Sequence, residues 1–185
     1  MENDHTKKNR TEILLQKFNL LNIDRYTTEE LPSYRHIPGM TPHPISDKNG
    51  HSYGKQKTNT PRLVENDWLN NNEYLYAIDL FNYKFYWETH ETLEDLWKLE
   101  TDSILKLFLQ GLIQISAAYL KWIQGFDEGR KKLRLKGLQK LSQVQNTHTI
   151  YCGINLPRFI DETKSFLNSN IQNIAIPPVI DLIIT

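Results

Sequence analysis

A single cysteine, Cys152, leaves the chain without an internal disulfide or a cysteine-only metal cage, fits a reducing compartment, and leads us to read the protein as cytoplasmic. Net charge is also missing: 22 basic residues balance 22 acidic ones, so nothing draws the whole chain toward nucleic acid, anionic membrane or acidic substrates. The polar start, Met1 to Arg10, has no apolar signal region, and no run approaches the roughly 20 apolar residues of a membrane span; neither secretion nor a membrane partner is expected. No G-x-S-x-G elbow or phosphate-cradling glycine loop occurs, and Cys152 sits in a Tyr-Cys-Gly turn, so covalent catalysis finds no support.

What is present points to one all-α domain over residues 1–185. Leu14, Leu15, Phe18, Leu20 and Leu21 predict an N-terminal helix over about residues 11–22, within an N-terminal portion ending near residue 30. Prolines 32, 38, 42, 44 and 61, with Gly39, Gly50 and Gly54, predict a long irregular loop over 31–65, and its apolar Tyr34, Ile37, Met40 and Tyr53 argue that it covers something. Helices are predicted at 72–83, 84–99, 102–124, 127–145 and 156–168; short breaks between them favour an up-and-down bundle over 66–170. The apolar end, 171–185, is expected to dock on the bundle or on a second subunit, which leaves a homodimer open.

One helix carries site-like chemistry. At about 100° per residue, His90 and Glu94 share a face with Tyr86, Trp87, Leu93 and Trp97, whereas Glu88, Glu91 and Asp95 fall on the opposite flank, where Glu88 and Asp95 read as a solvated face. A carboxylate in an apolar face needs a partner, so His90 and Glu94 are expected to be largely buried. Three readings compete. The pair is a structural hydrogen bond that fixes helix register; or it holds a divalent metal, since ligands four residues apart can reach one ion; or Trp87 and Trp97 wall a pocket for a small polar or cationic ligand with Glu94 as counter-charge. Dense aromatics, nine of the 20 between Trp68 and Trp97, also suit plain core.

The stretch from Leu80 to Trp97, followed by Phe108 to Ala118, resembles the domain of unknown function 309 family, whose pattern H-x-x-x-E-x-x-[WY] is matched by His90, Glu94 and Trp97. The resemblance covers about residues 72–145, and Leu31 to Gly54 is similar to longer members with a Pro-His-Pro and Gly-His-Ser-Tyr-Gly loop. It implies a small up-and-down helical bundle and a family labelled a predicted metal-dependent hydrolase. The chain departs from the pattern at Tyr83-Lys84, where many members carry a small residue and glycine, and at Arg130, where a small residue is usual.

The helix from Asp102 to Gln124 is apolar on most of its circumference and therefore central, with Gln110 and Gln114 in one narrow polar stripe that either faces His90 and Glu94 or is simply its wet side. In the loop, Asp47 to Gly50 reads as a tight turn that folds His43 back toward His51, and either histidine could complete a zinc, manganese or iron shell around His90 and Glu94, with Glu91 or Glu94 as general base of a hydrolysis. The alternative is a non-catalytic ligand-binding or interaction bundle with an unidentified small-molecule ligand. Six basic residues between Arg130 and Lys140 form a face that could meet phosphates, although the neutral overall charge argues against a nucleic-acid partner.

Overall fold

The sharp chain reversal at Tyr83-Lys84 organises the molecule. A computed structural model describes residues 4–55, 60–170, 172 and 174–184; 56–59 of the expected loop and 171, 173 and 185 of the expected arm lie outside the described residues. The helices are α1 (Asp4–Asn19), α2 (Asn72–Asn82), α3 (Tyr86–Leu99), α4 (Ser103–Ile123), α5 (Asp127–Gln145) and α6 (Leu156–Asn168). A short 3-10 helix, Glu65–Asn70, precedes α2, and a two-stranded hairpin, β1 (Ile150–Tyr151) and β2 (Ile154–Asn155), precedes α6. This is the all-α bundle expected, with α1 starting and ending earlier than its apolar pattern suggests.

Between α2 and α3, Lys84 takes a left-handed φ of +67°, the conformation for which the family pattern uses glycine. Its amide bonds Phe81 O, the Phe85 amide bonds Leu80 O, and α3 sets off from this turn to pack against α2. The side chain explains why a lysine stands here. It is wholly buried, and Nζ donates to Pro178 O at 3.0 Å, clamping the C-terminal arm. Asn82 clamps the same arm twice, donating to Ile180 O at 2.9 Å and accepting from Ile180 N at 2.7 Å. Beyond it Leu182 forms a single antiparallel bridge to Ile154, so the arm docks on the bundle, as expected, beside the hairpin.

The hairpin itself was not anticipated. Its turn, Cys152-Gly153, has positive φ at both residues, the type I′ geometry, but with cysteine where asparagine would announce it. Burial pushes the Cys152 thiol well up, with Glu65 and Glu100 adding to the shift.

α4 lies at the centre, packed on α3 and α5, with Phe108, Ile115, Ala118, Tyr119 and Trp122 fully buried. It is also long and apolar enough, by length and composition, to cross a membrane, contrary to the expectation from the sequence. A helix surrounded by others has the same composition for a different reason, since neighbouring helices take the place of lipid. At the start of α5, buried Arg130 donates to Leu167 O and Ser169 O at the end of α6 and pairs with Asp127. That is why a guanidinium stands where a small residue was expected: it satisfies C-terminal carbonyls of α6. Arg134 also reaches Leu167 O and Lys131 pairs with Asp127, so half of the six-residue basic face is committed within the fold.

Two measurements test this account. Truncation after Ala175 should destabilise the protein by at least about 2 kcal/mol in urea unfolding, because it strips partners from buried Asn82 and Lys84; an unchanged midpoint would refute the clamp. Burial, with Arg35 adding, lowers the Lys84 amine from 10.5 to about 7. Folding then releases a proton between those values, so stability should rise with pH from about 7 to about 10.5, with no contribution from this group below that window. Thermal melts across that range should show a smaller rise in Lys84→Met.

Candidate functional site

α3 is covered on two sides, and this separates the residues that the sequence grouped together. Tyr86, Thr89, Leu93 and Leu96 face the core and are buried. Trp97 packs on that core from one edge, with the Lys106 Nζ 4.9 Å from its ring. Between the two covered sides His90 and Glu94 lie in a partly open seam, their side chains 31% and 34% exposed. The expectation that both are largely buried is therefore corrected: the aromatic arc that contains them is the edge of the core, and the centre of the core lies further round the helix. The expected His90–Glu94 bond is absent among the described residues. His90 Nδ1 lies 3.4 Å from Glu91 Oε1, and Glu94 accepts from Lys98 Nζ at 3.3 Å.

The other covered side belongs to the loop. Arg35 pins it, donating to Tyr83 O, Phe18 O and Asn19 Oδ1. The tight turn forms as expected, with Asp47 Oδ1 accepting from Asn49 N and Pro44 O from Ser52 N. At Gly50 a Cβ would stand 2.3 Å from Pro44 O, so only glycine lets the loop fold back this closely.

The fold-back delivers the loop histidines to α3 one turn before His90. His51 Nε2 lies 3.0 Å from Glu88 Oε1, and the His36 amide donates to the same oxygen at 2.8 Å. The His36 and His43 rings meet each other and the Trp87 ring edge-on, with centroids 4.9–5.4 Å apart. Burial lowers the His36 imidazole below its ordinary range, Glu88 opposing and His43 and His51 adding. His51 and His43 thus cover α3 but contact Glu88 and Trp87 in place of the His90 cluster.

Glu88, read from the sequence as solvated, is the principal correction. It is 6% exposed, and its Oε2 is buried with no hydrogen bond among the described residues. A cavity of about 380 Å³ opens beside it between loop and helix, with Trp87, Glu88, Glu91 and Asp95 on the helix side and His51 and Lys55 on the loop side. Trp97, Gln110 and Gln114 are not among its lining residues. Gln110 and Gln114 are half-buried, and among the described residues no hydrogen bond joins them to His90 or Glu94. The spacing Glu88, Glu91, Asp95, a stripe at i, i+3 and i+7, was the available signal.

Among the described residues, one group of three possible metal ligands stands together: His90, Glu91 and Glu94, with donor atoms all within 4.8 Å of one another. Ligands about 2.1 Å from a tetrahedral ion stand about 3.4 Å apart. The His90–Glu91 distance already meets this, and half-exposed side chains can close the rest by rotamer changes.

Residues 74–133 match the family model described as Domain of unknown function (DUF309). The match runs from α2 into α5, takes in His90, Glu94 and Trp97, and brings no reaction with it. No curated protein and no solved structure matches the chain.

Removing the Glu88 carboxyl should leave the His36 amide and His51 without their acceptor. Glu88→Ala is expected to lose about 2–4 kcal/mol in chemical denaturation and to speed amide exchange across 36–51. His90→Ala, half-exposed, should lose less than about 1 kcal/mol. The reverse order would return His90 to the role of a buried structural residue.

Proposed function

We propose that the chain is a metal-dependent hydrolase whose divalent cation is held by His90, Glu91 and Glu94 at the edge of the cavity under the loop. One observation carries this reading: Glu91 belongs both to the ligand cluster and to the cavity lining, so a bound ion would border the space where a small molecule fits. One imidazole and two carboxylates suit zinc, manganese or iron(II), and three protein ligands leave a position for water, whose pKa a bound ion lowers toward neutrality.

Each side chain has a task in this reading. His90 and Glu94, one helical turn apart, set the two ends of the ligand triangle, and Glu91 supplies its third corner instead of acting as general base. Lys98, paired with both Glu94 and Asp95, holds these carboxylates in place from the solvent side. His51 and the loop above Glu88 limit water at the cavity, while His43 braces Trp87 and takes no ligand's place. A purely structural His90–Glu94 network has less support, because its central bond is replaced by the Lys98 pair.

The test is a thermal-melt series on chelator-stripped protein with zinc, manganese or iron(II). One ion at about a hundredfold over its dissociation constant should raise the melting temperature by roughly 5–10 °C. His90→Ala and Glu94→Gln should each abolish the response; a wild type indifferent to every ion would defeat the reading.

A further inference from the structure

We infer that the cavity between the loop and α3 binds a small organic cation, a ligand bearing an ammonium group on an apolar body. This rests on the proposed function only in taking the cavity as the substrate site; the binding itself needs no metal.

Charge decides the sign of the ligand. Among the described residues, three carboxylates on one helix face, Glu88, Glu91 and Asp95, line the cavity with one lysine, Lys55, and Lys98 pairs with Asp95 from the solvent side. Glu88 is the unusual member. Its side chain is 94% buried, one oxygen is taken by His51 and the His36 amide, and the other has no donor among the described residues. A desolvated acceptor without a donor is costly, and beneath the loop its negative potential reaches the cavity with less screening than that of a carboxylate in bulk water. Tyr76 lines the same cavity. Burial pushes its phenol up to about 12, and Glu29, Glu88 and Glu73 add to the shift against the opposing Arg25.

Geometry decides the kind of cation. Glu88 and Asp95 do not join Glu91 in any cluster tight enough for one metal ion among the described residues. The carboxylates are spread along two turns of helix, too wide for a bare ion but suited to an ammonium with several N–H donors. Asp95 and Glu91, with side chains 24% and 32% exposed, are open to direct contact, and Glu88 supplies the field beneath them. Trp87 adds an aromatic surface of the type that attracts cations, and Leu80 and Ile45 supply apolar wall. A volume of about 380 Å³ is in the range of small-molecule sites.

The probe is benzylamine, titrated calorimetrically into the full chain at neutral pH with EDTA present, against benzyl alcohol and benzoate as neutral and anionic isosteres. Benzylamine should bind one to one, at least tenfold tighter than either isostere. Glu88→Gln should weaken it at least tenfold, and Asp95→Asn, partly exposed and safe for folding, should weaken it several-fold. Absence of benzylamine binding, equal binding of benzyl alcohol, tighter binding of benzoate, or wild-type affinity in Asp95→Asn would each overturn the proposal. Because EDTA removes any ion, amine binding without an ion response would defeat the hydrolase reading alone, and an ion response without amine binding would defeat this inference alone.

Discussion

Every buried backbone amide and carbonyl needs a partner, and a chain with long irregular segments at both ends of its bundle must find those partners outside helices and sheets. Four polar side chains on the α2–α3 hairpin supply them. Asp79 accepts from Tyr26 N and Thr27 N, Asn82 pairs with both backbone groups of Ile180, Lys84 donates to Pro178 O and Glu88 accepts from His36 N. All four are buried. They stand within ten residues of one another, on either side of the left-handed turn at Lys84.

The site follows from that arrangement. Because α3 is gripped by the core on one side and by the loop on the other, His90 and Glu94 lie in a partly open seam between them. Because the loop takes just one oxygen of Glu88, the second remains buried at the cavity that Glu91 and Asp95 also line. The same helix therefore offers two overlapping acidic groups that share Glu91: a triad compact enough for an ion and a cavity-lining stripe too long for one.

The helices were legible because their apolar residues recur at helical spacing and Asn, Asp and Gly mark the breaks; α5 and α6 fall where the sequence places them. The loop's purpose was legible in its prolines and its fold-back in Asp47 to Gly50. The site was legible only in part. Helical periodicity reports one buried face, and α3 has two; a carboxylate buried beneath an irregular loop looks in sequence like one facing water, so Glu88 was assigned to solvent and His90 and Glu94 to the interior. Arg130 and Lys84 were visible as departures from the family pattern, but their reason, backbone carbonyls up to 94 residues away, has no local signal. The Cys152-Gly153 hairpin was hidden because cysteine seldom adopts the turn's conformation.

The clamps also order the assembly of the chain in time. The helical hairpin needs only contacts between neighbours, whereas the clamps close loops of 52 residues for Glu88 with His36 and 98 for Asn82 with Ile180. Closing long loops carries an entropic penalty that short helical contacts avoid, so the hairpin forms first and the two outer segments settle on it afterwards. Contacts made after the rate-limiting step leave the speed of folding almost untouched and govern how long the native state lasts. The lifetime of this protein is thus set by a few polar side chains at one turn, and its rate of assembly by the apolar helices around α4.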